Sequence, residues 1–321
     1  MNNYSWLEQN LHRFALSTKL MREAQFDIEL NLIKTDFEAI NNVFVAGVAR
    51  SGTTILLNAI HESNEFASLS YADMPFILAP NLWSRISNSN KHLEPKERAH
   101  GDGIKVSSDS PEAFEEVFWK TFSDTDASSH EKFRKYVNAI CHRYNKKRYL
   151  SKNNQNIKRL ELFAKLYPDS VILIPFRDPH QHINSLLSQH LKFIQISEQD
   201  KFITSYMGWI GHTEFGVNYS PLNEYSKFND FKSPNHWLEQ WCISYQAIID
   251  KFKNHKNYKF ICYEKLCDGD NTWKSIQECL RISKMRSFQF KLSEKTINFN
   301  SDKNLNQKAS LLYEQLRERS L

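Results

Sequence analysis

The sequence predicts an α/β protein with a central, mostly parallel sheet flanked by helices, in one domain spanning residues 1–321. Three observations predict it. Apolar runs of strand length at 43–45, 171–176 and 258–263 alternate with longer stretches of helical period. The first run leads through a glycine-bracketed turn directly into an apolar helix. No proline- or glycine-rich linker and no repeat divides the 321 residues, a length that would allow one large domain or two small ones.

Taken in order, residues 1–40 read as amphipathic helix, with Leu7, Leu11, Phe14 and Met21 at helical spacing. Val43, Phe44 and Val45 form a buried strand, and residues 55–63 are helical. A short strand is expected at 66–71 and an exposed polar loop at 85–105. Ser110-Pro111 reads as a helix start, with serine as cap and proline at the first helical position, and the helix runs through Phe114, Val117, Phe118 and Phe122. Residues 130–145 are helical, 149–152 end a strand, and 157–167 form an amphipathic helix. The clearest buried strand is 171–176, and Asp178-Pro179 opens the next helix, through Ile183, Leu186, Leu187 and Leu191. Residues 197–232 are loop-rich and aromatic, and the region near 195–235 is expected to be an insertion or lid. A long helix at 236–252, a late strand at 258–263 and a helix at 272–282 follow; the polar stretch after about 290 has no assignment.

Composition narrows the class. A hydrophobic content of 40% supports a core, and abundant aromatics with only 8 glycines exclude collagen-like and low-complexity chains. The net charge of +5 fits either a basic surface or a site for anionic ligands. The cysteines, Cys141, Cys242, Cys262, Cys267 and Cys279, are odd in number and lack metal-ligand spacing, so reduced thiols are expected. The N-terminus has no apolar core of a signal peptide, and no window approaches 18 apolar residues. The expectation is a cytoplasmic protein without a transmembrane segment, peripheral to a membrane if its acceptor is lipid-linked. No nucleic-acid partner is expected, and the sequence leaves the oligomeric state open.

The chemistry concentrates in two places. Residues 43–54, VFVAGVARSGTT, have the spacing of a phosphate-binding loop, G-x-x-x-x-G-K-[ST], with Gly47, Gly52 and Thr54 in place. Backbone N–H groups at the following helix N-terminus favour an anion. Thr53 stands where the lysine that reaches a nucleoside triphosphate would be, and the loop's cation is Arg50 instead. The second place is Phe176-Arg177-Asp178-Pro179, at the carboxyl end of the strongest strand, where ligands bind in open α/β sheets. Arg177 can grip a phosphate with its planar fork, or pair with Asp178; Ser185 lies eight residues on.

With both places in view, the chain resembles the PAPS-dependent sulfotransferases, nearest to the bacterial and Golgi-type branches; PAPS is 3′-phosphoadenosine 5′-phosphosulfate. Ala49-Arg50-Ser51-Gly52-Thr53-Thr54 resembles the family's 5′-phosphosulfate loop. Arg177 with Ser185 resembles its 3′-phosphate site. Ser151-Lys152-Asn153, with Lys152 25 residues before Arg177, resembles its basic segment, and Tyr263-Glu264 its recurring Tyr-Glu element. The resemblance spans about 43–266 and implies a P-loop-like three-layer fold. It implies PAPS as co-substrate, no metal, and transfer of a sulfuryl group to a hydroxyl on a carbohydrate, a lipid-linked glycan or a small metabolite. Arg50, Ser51, Gly52, Thr53 and Thr54 would hold the 5′-phosphate, Arg177 and Ser185 the 3′-phosphate, and Lys152 would neutralise charge at the sulfuryl group.

The acceptor needs a base. Many relatives place a carboxylate or histidine shortly after the first helix, and Asp73 is the carboxylate of the corresponding segment here. Its alternative role is to cap the turn before Met74-Pro75. Asp109, Glu112 and His212 are the other candidates, with helix capping as the expected role near Asp109. The aromatic stretch 206–216 could line an acceptor pocket, but Trp209 and Phe215 read more readily as core, as do Trp237 and Trp241. The rival functions are a P-loop kinase of small molecules, against which Thr53 counts, and a non-catalytic nucleotide-binding protein.

Overall fold

The N-terminal helical pattern divides in two: α1 (Trp6–Leu16) and α2 (Lys19–Leu32). The break falls at Ser17 and Thr18, where the Thr18 hydroxyl accepts from Met21 N and caps α2. The chain is seen here as a computed structural model that describes residues 4–33, 37–87, 96–97, 105–252, 254–292 and 300–321. Strand β1 (Val43–Val45) and helix α3 (Thr53–His61) flank the glycine-bracketed loop. Strand β2 is confined to Phe66–Ala67; Ser70 then bridges to Pro111, and a 3-10 turn follows at Tyr71–Asp73. Helix α4 (Pro80–Ile86) and a two-stranded ladder of β3 (Lys96–Glu97) and β4 (Lys105–Val106) come next. Most of the loop expected at 85–105 lies outside the described residues.

Helix α5 occupies Glu116–Phe122, five residues later than Ser110-Pro111 suggested. The intervening backbone is committed elsewhere. Tyr71 N donates to Ser110 O and Glu112 N to Leu69 O, so 110–112 pair with 69–71 instead of coiling. Helix α6 (Ala127–Arg143), β5 (Arg148–Lys152), α7 (Leu160–Leu166) and β6 (Val171–Phe176) follow the expected order. Helix α8 runs from Pro179 to Gln199 and α9 from Lys201 to Trp209, so the stretch read as loop-rich is helical in its first part. Asp200 makes that possible, accepting from Phe202 N and Ile203 N as the cap of α9. Helix α10 (Pro234–Phe252), β7 (Tyr258–Cys262), α11 (Tyr263–Cys267), α12 (Asp270–Cys279) and α13 (Lys303–Glu318) complete the chain.

The central sheet has the order β2-β5-β1-β6-β7, parallel throughout. Side chains alternate across it. Val43, Val45, Leu150 and Leu173 face α3, α11 and α12, packing with Leu56, Leu57, Ile60 and Trp273. Phe44, Tyr149, Ile172 and Phe176 face the other layer, where Phe44 stacks on Phe163 of α7 with centroids 4.2 Å apart. The result is the expected three-layer α/β fold. The registers Val45 to Lys152 and Val45 to Leu173 align the carboxyl ends of β5, β1 and β6 on one edge, and the site sits there. Helix α13, in the stretch left unassigned, packs Leu305, Ala309, Leu312 and Leu316 into the core. All five cysteines are free thiols. Among the described residues no helix is long and apolar enough to cross a membrane.

Candidate active site

The loop after β1 is shaped by close approach. A Cβ on Gly47 would lie 2.8 Å from Ser51 Oγ and 3.0 Å from the Pro175 carbonyl, so a side chain there would force its neighbours to shift. Arg50 and Gly52 both take left-handed backbone, at φ 69° and 94°. Such turns point successive N–H groups into a concavity that suits an anion. Gly52 is the N-cap of α3 and gives it no side-chain hydrogen bond, so the first-turn amides are left for a ligand. A Cβ there would also lie 2.5 Å from the Tyr263 ring. Ser51, Thr53 and Thr54 are buried in the loop and first turn.

Beneath the loop, the His182 Nε2 lies 2.7 Å from the Ala49 carbonyl. Burial, aided by Arg177 and Arg50, pushes this imidazole down to about 3. It therefore stays neutral and donates its Nε2–H to Ala49, fixing the loop from below.

The second subsite forms where β6 meets α8. The Asp178 side chain accepts from Gln181 N and caps α8, while its own N–H donates to Glu264 Oε1 at 3.0 Å. Arg177 Nη2 accordingly donates to the neutral Gln181 Oε1 at 2.9 Å, and not to Asp178. Its Nε is buried without a hydrogen-bond partner, and its guanidinium lies 5.7 Å from the Tyr263 ring centroid. Burial lowers its pKa, with Glu264 opposing. A buried donor without a partner costs about 1–3 kcal/mol, a cost that a bound anion removes. Ser185, about two turns along α8, accepts from Arg50 Nε at 3.1 Å. That contact joins the two subsites.

Lys152 ends β5 beside Val45 and is buried, with its Nζ 4.0 Å from Glu112 Oε1. Glu112 also accepts from the Tyr71 hydroxyl at 3.2 Å. Asn154, two residues after Lys152, accepts from the Thr53 hydroxyl at 3.3 Å. The structure thus gathers Arg50, Ser51, Gly52, Thr53, Thr54, Lys152, Arg177 and Ser185 along one edge of the sheet.

Asp73 is held by its own turn and by the end of α6. Its Oδ2 accepts from Ser70 N at 2.9 Å and from the Tyr144 hydroxyl, and Arg143 Nε lies 3.8 Å from Oδ1. It is 1% exposed, and none of these partners belongs to the loop. The carboxylate closes a capping box on the 71–73 turn, which was its alternative role. Of the other candidates, Asp109 is exposed and His212 half-buried, while Glu112 faces Lys152. Sequence reasoning missed Gln181, His182 and Asn154. For His182 a signal existed: it lies one turn before Ser185 on the same helix face.

The fold is that of a P-loop-like α/β protein, and Arg50 and Ser185 link its glycine-bracketed loop to the start of α8. The chain belongs to the sulfotransferase family, whose model matches residues 42–215, just over half its length. Solved structures with a similar chain course include sulfotransferase STF1 from Mycobacterium tuberculosis H37Rv, at 13% identity over 98% of this chain and 86% of that one, TM-score 0.49. Sulfotransferase STF9 from Mycobacterium avium matches at 12% identity over 100% and 79%, TM-score 0.47. A sulfotransferase from Alicyclobacillus acidocaldarius matches at 14% over 88% and 94%, TM-score 0.39. No curated protein matches the chain.

Proposed function

We propose that the protein transfers a sulfuryl group from PAPS to a hydroxyl acceptor. One observation carries the choice of donor: Arg177 keeps a buried guanidinium nitrogen without a partner and is tied, through α8, Ser185 and Arg50, to the glycine-capped loop. Two anion subsites linked in this way suit a nucleotide with phosphates at both 3′ and 5′ positions. Arg50, Ser51, Gly52, Thr53 and Thr54 hold the 5′-phosphate, which leaves with the bridging oxygen. Arg177 and Ser185 hold the 3′-phosphate and mark the donor off from ATP. Lys152 neutralises charge that develops around the sulfuryl group. Sulfuryl transfer, like phosphoryl transfer, spreads charge over equatorial oxygens, so positioning and electrostatics supply most of the rate.

The test compares 3′-phosphoadenosine 5′-phosphate (PAP) with AMP by calorimetry. A charge-assisted hydrogen bond contributes about 1.5–3 kcal/mol, so PAP should bind roughly 10–100-fold more tightly. Arg177→Ala should narrow that ratio. Equal affinity for the two ligands in the wild type would remove Arg177 from the 3′-phosphate site, and tighter binding of ATP than of PAP would favour the kinase.

A further inference from the structure

A cleft opens beside the loop, in the layer opposite to Tyr263. Val48 and Ala49 of the loop and Leu186, the neighbour of Ser185, form its inner surface. Tyr219, Leu222 and Trp237 form the facing wall, so most of the lining is apolar or aromatic. The wall is a built surface. Gly216 N donates to His190 Nδ1 at 3.2 Å, the Tyr219 hydroxyl meets His236 Nε2 at 2.8 Å, and Asn223 and Gln240 exchange two hydrogen bonds of 2.9 and 2.8 Å.

One carboxylate lines this cleft, that of Glu214. Asn154 connects it to the loop: the amide oxygen accepts from Thr53 Oγ1 at 3.3 Å, and the amide nitrogen donates to Glu214 Oε1 at 3.0 Å. Both ends of the Asn154 amide are used, so its orientation is fixed and so is one oxygen of Glu214. The other acidic groups near the site are engaged differently. Asp73 caps its turn, Glu112 faces Lys152 and Tyr71, and Glu264 accepts from Asp178 N.

Building on the sulfuryl-transfer function above, we propose that the acceptor presents a hydroxyl to this cleft from an apolar or aromatic group, whose bulk stays at the open mouth because the enclosed space is only about 30 Å³, and that Glu214 takes its proton. The hydroxyl oxygen forms the new bond to sulfur as the bond from sulfur to the 5′-phosphate oxygen breaks. The electron pair of that bond leaves on the phosphate, which departs as PAP. The hydroxyl proton passes to Glu214 and from there to solvent.

The test uses the whole chain, PAPS as donor, and 2-naphthol and 4-nitrophenol as acceptor probes, with glucose as a polar control. The wild type should turn over 2-naphthol well above glucose. Glu214→Gln should keep its affinity for PAP within about twofold and lose about 10²–10⁴-fold in kcat on 2-naphthol, the scale of a positioned base. The loss should shrink on 4-nitrophenol, whose more acidic hydroxyl needs less help. Glu214→Asp, which keeps the charge, should recover part of the rate. An equal loss on both phenols, or no loss, would overturn Glu214 as the base. Faster turnover of glucose than of either phenol, or failure of the PAP complex to bind 2-naphthol in calorimetry, would overturn the acceptor class. Failure of the wild type to bind PAP at all would overturn the donor assignment instead, and with it the inference.

Discussion

Asp73→Asn separates a cap from a base. The carboxyl is fully buried, and burial raises its pKa from 3.8 to about 6 despite the opposing pull of Tyr144, Ser70 and Arg143. A raised carboxyl pKa means that the folded chain holds the proton more tightly than the unfolded one. Between about pH 4 and 6 the folded state is protonated at Asp73 and the unfolded state is not, so stability falls as pH rises through that window. The stabilisation is fully present below the unfolded value and is lost once pH passes the folded one. A gap of about two units at about 1.4 kcal/mol each is worth about 3 kcal/mol over the whole window. Roughly 2 kcal/mol of that falls between pH 4.5 and 7.5. Asparagine keeps an oxygen for Ser70 and Tyr144 but cannot titrate. The stability of wild type relative to Asp73→Asn should therefore drop by roughly 2 kcal/mol from pH 4.5 to 7.5, read as urea midpoints at matched m-values. In the folded variant, PAP affinity and kcat should stay within about two- to threefold of wild type, because no group that grips the donor touches Asp73. Parallel stability profiles for the two proteins would refute the linkage. A loss of 10²-fold or more in kcat, with stability unchanged, would restore Asp73 as the base.

Gly52→Ala should destabilise the protein by about 1–3 kcal/mol and weaken PAP binding, because it meets both a left-handed backbone at φ 94° and the Tyr263 ring. Gly269→Ala supplies the control: its φ is 119° but nothing lies within 4 Å of the added carbon, so its cost in thermal unfolding should be strain alone, and PAP binding should not change. Transfer activity should survive EDTA, since among the described residues no three histidine, cysteine, aspartate or glutamate side chains cluster as a metal site. Loss on chelation that Mg²⁺ or Zn²⁺ restores would point to a metal-assisted reaction.

Much of the site was legible in the chain because its geometry depends on residues that cannot be exchanged. Gly52 combines a left-handed φ with a 2.5 Å approach to the Tyr263 ring and Gly47 is crowded by Ser51 and Pro175, so their spacing announces the loop. Arg177 and Ser185 were visible because a helix turns eight residues into a fixed separation. Where the reading failed, tertiary pairing outweighed a local signal. Ser110-Pro111 has the composition of a helix start, yet its backbone pairs with 69–71. Ser70 and Asp73 stand at capping-box spacing, and the structure uses them so. Helix α13 was hidden by its polar content, although Leu305, Ala309, Leu312 and Leu316 recur at helical spacing. The link from Asn154 to Glu214 spans 60 residues, and no local pattern in a single sequence encodes such a contact.

Strand order explains how this chain manages without the usual loop lysine. In a parallel sheet each strand delivers its next residue to the same edge, and here β5, β1 and β6 are adjacent. That adjacency sets Lys152, the 47–54 loop and Arg177 side by side, although Arg50 and Lys152 are 102 positions apart in the chain. A lysine at Thr53 would put its charge inside the loop, where it serves a chain of phosphates. Thr53 instead holds Asn154, and the positive charge comes from Arg50, Lys152 and Arg177, on three neighbouring strand ends. Charge spread in this way suits the proposed donor, whose anionic groups are themselves spread, with one phosphate at each end of a ribose and a sulfuryl group beyond. Val48 and Ala49 of the loop line the cleft that Glu214 also lines. On the proposed function, an uncharged acceptor approaches the sulfur from that side, where Asn154 holds the carboxylate of Glu214.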